Sequence, residues 1–126
     1  MMTTIRSLMH GMLEAGYAVN IGSSWDHKEY TVSGSGHQTA FSTSALTLTE
    51  AMVLAAKDKA FTPSPVTGAD VDIDVALVLV ASHARRDFCK DAAGNGYWVS
   101  VQGKPAKLRP GDFDVVIRRM AAAILR

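Results

Sequence analysis

The sequence predicts an α+β domain: two α-β-β-α halves whose strands form one antiparallel sheet of about four to five strands, covered by helices. Three observations lead there. Apolar residues recur at helical spacing over 5–13 and 113–124, where i, i+3, i+4 and i+7 share one face. Short alternating runs flank turn-rich segments, the period of half-buried strands. The order then repeats, with Tyr30-Thr31-Val32-Ser33 echoed by Tyr97-Trp98-Val99-Ser100. The echo reads as an internal duplication of 3–61 and 70–125, joined by a linker at 62–69.

The chain has 126 residues, 48% hydrophobic and 20% charged. That length makes one domain with a real core and excludes a disordered chain. The single cysteine, Cys89, can form no internal disulfide and fits a reducing compartment. The longest run without a polar residue, Val75–Ala81, is far short of the ~20 residues that span a bilayer. The early apolar stretch is broken by His10, Gly11 and Glu14, so no signal peptide is read. The expectation is a cytoplasmic protein without a membrane segment.

Ile5, Leu8, Met9, Met12 and Leu13 build the first helix, with Arg6, His10 and Glu14 assigned to its solvent side and Gly16 to its left-handed C′ position. Tyr17–Gly22 and Glu29–Ser33 form a hairpin around the polar turn Ser23–Lys28. Gly34-Ser35-Gly36 loosens the chain before a short extra strand at Thr39–Thr43. Thr47 and Glu50 make a capping box for the second helix, and Pro63 and Pro65 stop it.

Residues 70–88 fit both periods. Val71, Ile73, Val75, Leu77 and Leu79 alternate as a strand would, while Ile73, Leu77, Val80, Ala84 and Phe88 recur as on a helix. Acids at the start and Arg85, Arg86 and Lys90 at the end complement a helix dipole, which selects helix. Tyr97–Val101 is a strand after the turn Asp91–Gly96, and Ala106–Arg109 a short edge strand. Phe113, Val116, Ile117, Met120, Ala121 and Ile124 give the last helix its apolar face.

This order, with the segment LTLTEAMVLAAKDKA, resembles small phage and prophage accessory proteins of α-β-β-α layout. It is also similar to the antitoxin-type fold in which a hairpin precedes a T-x-E-E-A helix, through Thr47, Glu50 and Ala51. The resemblance implies an accessory protein of a mobile element and carries over no catalytic residue.

No motif for chemistry is complete. Asp70-x-Asp72-x-Asp74 opens like a calcium loop, but Val75 and Ala81 stand where glycine and the closing carboxylate belong. His10, His27, His37 and His83 lack partners at zinc spacing. Cys89 and His83 are six residues apart, which on a helix points them in different directions. Neither a nucleophile elbow nor a P-loop occurs. The expectation is no catalytic residue, no metal and no cofactor.

Charge is uneven. Residues 1–81 hold four Lys/Arg against eight acids, a net −4, and residues 82–126 hold nine against four, a net +5. Either the basic half binds acidic partners or the halves interleave and their charges mix. Trp98 with Lys104, Lys107 and Arg109 is the predicted partner-binding surface, since Trp and Arg are enriched at interfaces. The leading functional expectation is non-enzymatic binding of a host protein, for example as a counter-defence inhibitor. Nucleic-acid binding by the basic half is the alternative, and a small hydrolase using His27, His37 or His83 the remote one. Open sheet edges point to a homodimer.

Overall fold

The computed structural model describes residues 4–26, 28–57, 59, 61–62, 70–83, 85–90, 96–101 and 112–125. The element order is α1 (Ile5–Glu14), β1 (Ala18–Ser23), β2 (Tyr30–Gly36), β3 (Thr39–Ala45), α2 (Leu48–Ala56), α3 (Asp70–His83), β4 (Arg86–Lys90), β5 (Tyr97–Val101) and α4 (Phe113–Leu125). The strands form one sheet in the order β3-β2-β1-β4-β5, antiparallel at every step.

The three strands of the first half and the β4–β5 hairpin meet edge to edge where Val19, Asn20 and Ile21 pair with Phe88, Asp87 and Arg86. Val19, Ile21, Val32, Phe88 and Tyr97 alternate toward one face and are buried. That face receives the apolar stripes of the helices, including Met9, Met12 and Leu13 of α1, Met52 of α2, Leu77 of α3 and Ile117 of α4. Each fully buried side chain of this size contributes about 1.5–3 kcal/mol. Along the other face run Ala18, Asn20, Ser33, Ser35, Ala40, Ser42, Ser44, Asp87 and Cys89, and no described helix packs there. The helices therefore cover the sheet from one side.

Helix α1 is fixed at both ends. Thr4 is its N-cap, accepting a hydrogen bond from the Ser7 N–H, and the Ser7 hydroxyl closes a reciprocal box. Asp74 of α3 supplies what that box leaves over: its carboxylate accepts from the N–H groups of Ile5 (3.1 Å) and Arg6 (2.8 Å). A carboxylate facing a helix N-terminus also answers the positive end of its dipole. At the other end, Gly16 has φ +100°. The Gly16 N–H donates to Leu13 and the Tyr17 N–H to Met12, which is the Schellman pattern expected of a C′ glycine.

Several expectations are corrected. The third helix ends at His83, and Arg86–Lys90 is a strand, so Phe88 belongs to the sheet. Opposite charges at the two ends misled the assignment, because the basic trio Arg85, Arg86 and Lys90 follows the helix rather than closing it. The first half has three strands. Gly34 and Gly36 lie inside β2, and β3 runs seven residues. A Cβ at Gly34 would stand 2.0 Å from the Ala18 carbonyl oxygen, so glycine there lets two strands approach closely. The β2–β3 connection is the two-residue turn His37-Gln38, with φ of 50° and 63°, the type I′ geometry that suits strand twist. Only the Thr47 half of the predicted box at α2 forms. The expected edge strand Ala106–Arg109 and most of the linker at 62–69 lie outside the described residues.

Replacing Asp74 by Ala leaves two N–H groups of α1 without their acceptor. The expected loss is about 1–2 kcal/mol in urea unfolding, against less than about 0.5 kcal/mol for Asp72→Ala at an exposed position of the same helix.

Candidate functional site

Two regions gather functional groups. The first is the junction of α1 with the second half, where Arg6, His10 and Glu14 occupy successive turns. They were expected to face solvent. Instead Arg6 Nε donates to Asp114 of α4 at 3.1 Å, and Lys90 Nζ donates to Glu14 at 2.7 Å. The Tyr97 hydroxyl lies between Glu14 and His10. A carboxylate can only accept, so the single phenolic proton goes to Glu14 and the His10 Nε2–H donates to the phenol oxygen at 2.9 Å. His10, Tyr97 and Phe113 meet edge-on or tilted, with centroids 5.3–5.6 Å apart. Burial, then the Arg6 charge, lowers the His10 pKa from 6.5, and Glu14 and Asp114 oppose the shift. A cavity of about 520 Å³ opens beside this cluster, lined by Arg6, His10, Tyr97, Asp112, Phe113, Asp114 and Val115.

These contacts hold α1 against β4, β5 and α4, and they pair charges from both halves of the sequence. Arg6 meets Asp114 and Glu14 meets Lys90, so charges of the two halves pair with each other at this junction. Arg86 is different. It alternates with Phe88 on the helix-covered face, is 5% exposed, and donates only through Nη1 to the Arg85 carbonyl at 3.4 Å, leaving its buried Nε without a partner. Burial lowers its pKa, and no described carboxylate pairs with it.

The second region is the open sheet face and the β1–β2 connection at its end. Asn20 Nδ2 donates to Asp87 at 2.6 Å across the β1–β4 seam. The Arg85 side chain lies along β1, where a Cβ at Gly22 would be 2.6 Å from its Cγ. A groove of about 410 Å³ passes Asn20, Ser33, Ser35, Arg85 and Asp87. In the connection, Asp26 Oδ1 accepts from the Ser24 hydroxyl (2.6 Å) and the Lys28 N–H (3.2 Å). Glu29 N–H donates to the Ser24 hydroxyl, and Ser24 N–H to the Glu29 carbonyl. Trp25 stands on this tied turn with 92% of its surface in water.

The predicted partner-binding residues are not brought into view together. Trp98 pairs with Cys89 in the β4–β5 ladder, and its side chain, with Lys104, Lys107 and Arg109, lies outside the described residues, as does His27. His37 donates to the Ala15 carbonyl at the end of α1 (2.5 Å) and packs edge-on against Tyr17. His83 is exposed at the end of α3. Neither meets a second histidine or a carboxylate among the described hydrogen bonds, and no group of three metal-ligating side chains occurs among the described residues. No described helix is long and apolar enough to cross a membrane.

No protein-family model matches the chain, and neither does any curated protein or solved structure.

Sequence reasoning missed the exposure of Trp25. The signal was there: a lone tryptophan inside Ser-Ser-Trp-Asp-His-Lys, a turn-forming segment with no apolar neighbour to pack against. It missed the junction because the partners of His10 and Glu14 lie 76 to 87 residues away.

The lowered pKa of His10 sets a pH dependence. The unfolded chain restores the value of 6.5, so between that value and the lower folded one, unfolding takes up a proton. The contribution of His10 is therefore complete above pH 6.5 and is lost as the pH falls through the folded value. Denaturant unfolding of the parent should show stability declining with acid below pH 6.5, with a shallower decline in His10→Gln.

Proposed function

We propose that the chain works by binding another macromolecule, a host protein, and that its action is occlusion of that partner's surface rather than catalysis. Trp25 carries this reading. Tryptophan is well buried on average, and leaving one almost wholly in water on a turn tied by Ser24, Asp26 and Glu29 forgoes a large apolar contribution within the fold. A preordered tryptophan loses little conformational freedom on docking, and tryptophans dominate the energetics of protein interfaces. The open face behind it supports the reading, because its serines and alanines let a flat partner come close.

The resemblance to phage and prophage accessory proteins supports an origin in a mobile element, and inhibition of a host defence complex is one instance of such a role. The exposed thiol of Cys89 fits a reducing cytoplasm. The surface around Trp98, Lys104, Lys107 and Arg109 is the competing location for the contact.

Capture from host lysate by the parent, by Trp25→Ala and by a charge reversal of Lys104, Lys107 and Arg109 separates the two locations. Trp25→Ala is expected to weaken partner capture by roughly 30-fold, equivalent to about 2 kcal/mol, with the circular-dichroism melt unchanged. Equal capture by parent and Trp25→Ala removes Trp25 from the interface. Binding to a DNA or RNA probe at low salt that vanishes at high salt would make nucleic acid the partner instead.

A further inference from the structure

Strand β3 forms one margin of the sheet. It pairs with β2 through all seven residues, from Thr39↔Gly36 to Ala45↔Tyr30, without a bulge. No described strand pairs with its other side. In an antiparallel ladder, alternate residues turn their N–H and C=O groups away from the neighbour. The outer side of β3 is therefore a row of backbone donors and acceptors. Soluble proteins guard such margins with lysine, proline, bulges or very short strands. Thr39-Ala40-Phe41-Ser42-Thr43-Ser44-Ala45 has no charge, no proline and no break in register.

We infer that β3 pairs antiparallel with β3 of a second copy of this chain, about a two-fold axis at Ser42, joining two five-stranded sheets into one of ten strands. The strand is complementary to its own reverse. About that axis, Ala40 stands opposite the partner's Ser44 on the open face, with Ser42 against the partner's Ser42. On the helix-covered face, Phe41 stands opposite the partner's Thr43, an aromatic against a β-branched residue, a favourable cross-strand pair. Neither strand carries a charged residue, and Lys59 of each copy stands over its own Phe41 ring. A two-fold contact of this kind closes on itself, so it ends at a dimer. Exposed apolar side chains border the same margin. Leu46, just beyond β3, is 76% exposed, and Leu54 and Val53 of α2, the helix packed on β3, are 49% and 44% exposed. Pairing of the strands brings the two α2 helices toward one another over the seam. The inference is independent of macromolecule binding at Trp25.

The axis at Ser42 supplies a selective test. Ser42 is exposed, so Ser42→Lys and Ser42→Glu should both fold, with melts like the parent's. Each places two like charges opposite one another at the axis, which is destabilising, whereas a mixture of the two places lysine against glutamate. By light scattering over a wide range of protein concentration, the parent is expected at twice the mass of its 13.5 kDa chain. Each variant alone is expected at the mass of one chain, and the equimolar mixture at twice that mass again. A parent that stays at the mass of one chain throughout overturns the inference. So do charged variants that remain dimeric, or a mixture that fails to reassociate.

Discussion

The fold depends on a short seam. Three residue pairs between β1 and β4 join the three strands of the first half to the β4–β5 hairpin, which alone would be marginal in water. The seam carries Val19, Ile21 and Phe88 into the core, and on its far face Asn20 and Asp87 close a hydrogen bond across it. Around it the helices from both halves settle on one side, with α1 against both α2 and α3. The sheet is thereby divided into a face covered by the helices and a face on which no described helix packs.

Charged groups fasten the halves where apolar packing alone would leave latitude. Asp74 holds the N-terminal turn of α1 from α3. Arg6–Asp114, Glu14–Lys90 and the Tyr97 hydroxyl hold its length against α4, β4 and β5. Surface ion pairs are individually weak. What this set contributes is registration, because each contact joins residues far apart in the chain. The His10 cluster is a fastening of the same kind, and its one histidine with neighbouring carboxylates explains why a polar group can sit half-buried at an interface between helices.

Much of the fold was legible in the sequence, because local rules decide amphipathic helices and alternating strands. The faces of the helices at 5–14 and 113–125, the glycine stop at Gly16 and the strand at 97–101 follow from periodicity and φ preference. The edge-to-edge joining of the two halves follows from the marginal stability of a lone hairpin, although the first half has three strands. Reading failed where distance in sequence mattered. Asp74 looks like a dipole-matching acid of its own helix until Ile5 and Arg6 arrive 69 and 68 residues away. Strand Arg86–Lys90 was hidden because its charges fit a helix end, and the glycines of β2 resemble a loop until Ala18 crosses them. Of the candidate surface, the tryptophan in the first turn was visible as a residue type, but its exposure depends on what the rest of the chain leaves uncovered.

The seam also orders events during synthesis. While residues beyond about 70 are still inside the ribosome, α1 lacks its outside acceptor and β1 has a neighbour on one side only. The first three strands with α1 and α2 must then wait with apolar surface uncovered until Phe88 emerges. Contacts spanning nearly 70 residues also give the chain a high contact order for its size, and folding slows as the loops to be closed lengthen. A chain divided between α2 and α3 would leave β1 in one fragment and β4 in the other, each stripped of its neighbour across the seam.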